Sequence, residues 1–97
     1  MIRHAAIFKL KHARGSAEEK SFLAALSALR VIPGVENFEI GRETSPKNDF
    51  DYAVSMSFAD QAAYDGYNNH PDHVGFVEGR WKPEVAAFME HDTVKIG

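Results

Sequence analysis

The sequence predicts one α+β domain of the ferredoxin-like kind, a four-stranded antiparallel sheet with helices on one face, and three observations lead there. Ile2–Leu10, residues 35–42 and Tyr52–Phe58 carry the period-two patterning of strands. One helical pattern follows the first of these segments and two follow the third. A weakly alternating tail, residues 91–96, supplies a fourth strand. The order β-α-β-β-α-α-β then folds into a single sheet with its helices packed on one side.

The first strand has Ile2, His4, Ala6, Phe8 and Leu10 on one face and a partly apolar second face with Ala5 and Ile7, so both faces are at least partly covered. After the turn-like "HARG", Ser16 and Glu19 stand at capping-box spacing and start the first helix. Phe22, Leu23, Leu26 and Leu29 form its apolar stripe, and Pro33-Gly34 closes the segment. Strand two, "VENFEIGR", leads into the polar connection "ETSPKNDFD". In strand three the large Tyr52, Val54, Met56 and Phe58 oppose the small Ala53, Ser55 and Ser57. The large face meets helices and the small face admits a close neighbour.

Asp60 caps "QAAYDGYNN", and Pro71 opens a further helix that carries Val74, Phe76, Val77 and Trp81 until Pro83 kinks or restarts it. Phe88 and Met89 continue the apolar content, which leaves the last strand to begin near His91. A sheet with helices on one side leaves Ala5, Ile7, Ala53, Ser55 and Ser57 on a bare face. The economical cover is a second copy of the chain, giving a homodimer whose two sheets meet as a barrel.

A length of 97 residues, with 44% hydrophobic and 26% charged, suits one globular domain, 1–97, with no linker or repeat. With 11 Lys+Arg against 14 Asp+Glu and no basic stripe, the chain lacks the footprint of a nucleic-acid binder. It has no cysteine for a disulfide, a thiol nucleophile or a zinc-thiolate site. It also has no long apolar run, and the start "MIRHAAIFKLKH" has no signal-like h-region, so a soluble cytoplasmic protein is expected.

"IRHAAIFKLK", "PGVENFEIGRETSP" and "YNNHPDHVGFVE" together resemble the stress-responsive A/B barrel (Dabb) family of dimeric α/β-barrel proteins, over essentially the whole chain. The resemblance implies the ferredoxin-like fold and a barrel-forming dimer. It also implies a cleft of the kind in which a plant polyketide cyclase of that family closes its substrate by aldol condensation without a cofactor. That enzyme uses a Tyr and a His in positions matching Tyr67 and His73, and His4 matches a pocket histidine. The chain departs from it at Tyr52, where the resemblance implies a histidine, and at Ala25, where it implies a bulkier aromatic.

The residues themselves leave two readings of "YNNHPDHVGF" open. In one, His73 is a general base and Tyr67 holds the reacting oxygen in a cleft walled by His4, Phe8, Tyr52, Val54 and Phe76, where water is kept from a carbonyl substrate. In the other, His70 and His73 satisfy backbone groups at a helix start, and the protein is a non-catalytic dimeric module that binds an apolar ligand or none. His70, directly before Pro71, is assigned the capping role in either case, and His4 on an apolar face equally suits a hydrogen-bonded core residue. No third ligand is spaced to join His70 and His73 at a metal, so neither metal nor cofactor is expected. His12 and His91 are expected to be exposed, and Glu18, Glu19 and Lys20 to form a solvated first helical turn.

Overall fold

A computed structural model describes residues 1–97. The strands are β1 (Ile2–Leu10), β2 (Glu36–Arg42), β3 (Tyr52–Phe58) and β4 (Val85–Val94). The helices are α1 (Ala17–Ser27), α2 (Gln61–Asn69) and α3 (Pro71–Phe76), with a wide π turn at Val77–Trp81 and a last helical turn at Lys82–Glu84 after α3. The sheet is antiparallel throughout, in the order β2-β3-β1-β4. The first and last strands are therefore neighbours. No helix is long and apolar enough to cross a membrane.

β1 and β3 share the centre of the sheet, and their inward residues make up most of its buried face. Ala6, Phe8 and Leu10 join Val54, Met56 and Phe58 of β3 under Phe22, Leu26 and Leu29. Phe8 is fully buried, its ring 5.9 Å from Phe22, 5.2 Å from Tyr52 and 5.0 Å from Trp81. At Gly34, φ is +90° and a Cβ would stand 3.3 Å from that of Ala63, so this turn needs glycine both for its backbone and for the close approach of α2.

The helix starts follow the sequence closely, with one displacement. Ser16 Oγ accepts from the Glu19 N–H at 3.1 Å, but Glu19 reaches back to the Gly15 N–H at 3.0 Å instead of closing a reciprocal box on Ser16. Glu19 is buried, which corrects the expectation of a wholly solvated first turn: its second carboxylate oxygen accepts a short hydrogen bond from the Tyr52 hydroxyl. That bond, followed by the one from Gly15, holds the Glu19 carboxyl below the usual carboxylate range. Burial, and then the same partner, push the Tyr52 hydroxyl up to about 12. Asp60 caps α2 by accepting from the Ala63 N–H at 2.9 Å.

β4 starts at Val85, not near His91. The stretch "VAAFM" lacks alternation and so imitates the preceding helix, yet Val85 already has extended φ/ψ and pairs with Leu10. His12 is likewise not a free loop residue. It is half-buried, with Nε2 2.8 Å from Glu84 Oε1 at the β4 entry. Register places Ala5 opposite Ser55 and His91, and Ile7 opposite Ala53 and Met89, on the face away from the helices. There Arg3 donates to Ser55 Oγ at 3.0 Å and lies 3.6 Å from Glu39.

Candidate functional site

Between the inward face of β1, β3 and β4 and the α2–α3 segment lies a half-open cleft of about 550 Å³. Its size falls within the range of small-molecule sites. Register explains its composition. His4 and Ala6 of β1 stand opposite Asp92 and Glu90 of β4, and Val54 and Met56 of β3 complete the floor. Leu26, Leu29, Phe76, Val77, Trp81 and Phe88 supply an apolar wall, whereas Tyr64, Tyr67, Asn68 and His73 supply a polar end.

The break between α2 and α3 positions that polar end. His70 caps α3 by accepting from the Asp72 N–H at 3.1 Å, with Pro71 in the first turn, as its place before the proline predicts. The cap folds α3 back, so that the His73 ring lies 4.3 Å from that of Tyr67, centroid to centroid. The two touch by their rings. His73 Nδ1 lies 3.2 Å from the Asn68 carbonyl oxygen, which can only accept, so Nδ1 carries the proton and Nε2 keeps its lone pair. Desolvation by burial is the main influence on His73 and lowers its pKa, with nearby His4 acting in the same direction. The Asn68 carbonyl and Glu90 oppose it. His73 is therefore neutral at pH 7.

Tyr67 is 2% exposed and packs against Phe58, yet its hydroxyl finds no partner in the chain and is not sealed off from the cleft. Burial, and then Glu90, push its pKa well above the ordinary tyrosine value, so it stays protonated and can donate. The pair thus combines a neutral imidazole nitrogen with a phenolic donor at the end of an apolar cleft. Chemically, that arrangement can take a proton from carbon or oxygen while hydrogen-bonding the oxygen on which charge develops.

Of the residues expected at the site, the fold brings His4, Val54, Tyr67, His73 and Phe76 to one cleft. Phe8 and Tyr52 do not line it. They lie deeper along the same strand faces, Phe8 among aromatic rings and Tyr52 tied to Glu19 beneath α1. Sequence reasoning missed Tyr64, Glu90 and Asp92. His4 Nδ1 is 2.6 Å from Asp92 Oδ1, and the Tyr64 hydroxyl is 2.8 Å from each Asp92 carboxylate oxygen and 2.9 Å from His4 Nδ1. Extending the β4 alternation back to Phe88 would have put Phe88, Glu90 and Asp92 on one face. No three His, Cys, Asp or Glu side chains converge closely enough to hold a metal ion.

Residues 2–95 match the family model of the stress responsive A/B barrel domain. A Dabb family protein with a ferredoxin-like fold from Mesorhizobium loti is 56% identical, with a TM-score of 0.95 over 99% of this chain and 97% of the other. A dimeric ferredoxin-like protein of unknown function from Thermobifida fusca is 24% identical, with a TM-score of 0.80 over 97% and 90% of the two chains. The hydroxynitrile lyase of Passiflora edulis is 15% identical, with a TM-score of 0.85 over 98% and 93%. At such identities the last two likenesses establish the fold alone. Among curated protein sequences none matches significantly.

Proposed function

Because the chain belongs to the stress responsive A/B barrel domain family, we propose that it is a homodimeric barrel protein whose cleft is a cofactor-independent acid–base site, a cyclase or lyase for a carbonyl compound. One observation carries this reading: a half-buried His73 whose N–H is spent on the Asn68 carbonyl stands against a Tyr67 whose hydroxyl has no partner in the chain. In the reaction, His73 Nε2 accepts the proton next to the carbonyl, or it accepts the proton of a hydroxyl whose oxygen becomes the carbonyl while the adjacent carbon–carbon bond breaks and its electron pair leaves with the departing carbanion, such as the cyanide of a cyanohydrin. Tyr67 donates to the carbonyl or developing oxyanion, and Phe76, Val54 and Trp81 keep water away. The hydroxynitrile lyase among the structural neighbours gives the fold a precedent for such chemistry.

The dimer is part of the same reading. Ala5, Ile7, Ala53 and Ser55 form a face of small residues, half-exposed in the single chain, with Met89 at 57% exposure beside them. A second sheet packs closely on such a surface, and several neighbours are described as dimeric.

The test is a screen of aromatic and aliphatic ketones, β-diketones and cyanohydrins against wild type, His73→Ala and Tyr67→Phe. Turnover by wild type should fall by roughly a hundredfold or more in His73→Ala, the scale of general-base loss, with the fold intact. Silence of the His73 and Tyr67 NMR signals towards every compound would leave a non-catalytic dimeric module.

A further inference from the structure

The charges along the cleft do not balance. His73 is neutral, and the Lys82 ammonium at the rim is engaged by Glu78 at 2.6 Å. His4 acts on His73 as a cation, but its Nδ1 lies 2.6 Å from an Asp92 carboxylate oxygen, so that pair carries no net charge. Glu90 is different. Register sets it opposite Ala6 on the inward face of β4, where it lines the cleft, and no ion pair or hydrogen bond of the chain engages its carboxylate. Its charge reaches the polar end: behind burial it raises the Tyr67 pKa, and against burial it favours the protonated form of His73.

The uncompensated charge of the cleft is therefore negative, and a wall of Leu26, Phe76 and Trp81 supplies nothing to offset it. Apolar walls of low dielectric focus such a field. A carbonyl acid brought there loses hydration of its carboxylate and meets a like charge, whereas a protonated amine gains a charge-assisted hydrogen bond. We infer that Glu90 is a specificity-determining residue that turns away carbonyl acids and favours a carbonyl compound carrying a protonated amine. The same carboxylate steadies the imidazolium that forms when His73 takes its proton. This rests on the acid–base reading of the cleft and adds the charge class of its substrate.

The experiment titrates the folded full chain, followed by NMR at low salt near neutral pH, with acetophenone bearing a para aminomethyl, methyl or carboxylate group. The three probes match in shape and differ in charge. Wild type should bind the cation about threefold or more tightly than the neutral probe, and the anion about threefold or more weakly, the scale of one charge pair near a protein surface. Glu90→Gln keeps the shape of an exposed side chain and should bring all three to within about twofold. Glu18→Gln, an equal change in net charge on the exposed first turn of α1, should leave the spread as it is. Raising salt to about 0.5 M should compress the wild-type spread, which keeps the test open even if Glu90→Gln fails to fold. A spread that survives Glu90→Gln, or that Glu18→Gln removes equally, overturns the inference. Equal affinity of the neutral probe and either charged one in wild type, with His73 signals shifting, overturns it and leaves the acid–base reading standing. Binding of none of the three removes both.

Discussion

Phe8 separates a wall residue from a core residue by a measurable sign. Its alternation with His4 suggested the cleft, but it is fully buried against Phe22, Tyr52 and Trp81. Phe8→Leu keeps an apolar side chain and leaves a void of about 25 Å³, which at ~24 cal/mol per Å³ costs roughly 0.6 kcal/mol. Loss of ring packing adds roughly 0.5–1.5 kcal/mol. The sum, about 1–2 kcal/mol, should lower Tm by roughly 4–15 °C for a domain of this size. Thermal unfolding has to be compared at one protein concentration, since a dimer's midpoint moves with concentration. Ligand affinity, read by NMR titration of the Trp81 indole, should stay within about twofold, because no atom of Phe8 lines the cleft. An unchanged midpoint with altered ligand affinity would refute this placement and return Phe8 to the wall.

Three shorter predictions follow from other parts of the molecule. Ser55→Glu puts like charges near the two-fold axis of facing sheets and should raise the dimer dissociation constant in analytical ultracentrifugation; an unaffected dimer would mean another interface. Ser16→Ala removes the acceptor for the Glu19 N–H and should cost about 1 kcal/mol in urea unfolding; no change would show that the Ala13–Gly15 turn alone fixes the start of α1. His73 should titrate below the ordinary histidine value of 6.5, since burial favours its neutral form. Its contribution to stability is then present above that value and is lost as pH falls through the lowered pKa. An NMR titration at or above 6.5 would contradict the burial of the ring.

Local chemistry made much of the fold legible in advance. Ser16, Asp60 and His70-Pro71 announce helix starts because a side-chain acceptor next to free N–H groups works the same way in any context. The alternation of β3 told its two faces apart for a similarly local reason. What failed depended on distance along the chain. Nothing near Tyr52 reveals that Glu19 will cover it, and nothing near His4 announces Tyr64 or Asp92, because strand order decides those meetings. β4 was cut short because "VAAFM" is apolar at every position, and a run without polar marks has no period to read. The approach of the Tyr67 and His73 rings was open to a local reading, because the helix break at Pro71 lies between them.

The adjacency of β1 and β4 gives the cleft a place in time as well as in space. The His4–Asp92 contact joins positions 88 residues apart, close to the largest separation the chain allows. Contacts of such range carry the greatest loop-closure entropy and form late unless intervening structure has already shortened the path. During folding, β1, β3 and the helices can associate around Phe8 and Phe22 while the cleft still lacks its last wall. The polar end of the cleft thus becomes complete only when β4 docks, and a ligand held there would report on the finished fold and stabilise it at its last-formed seam.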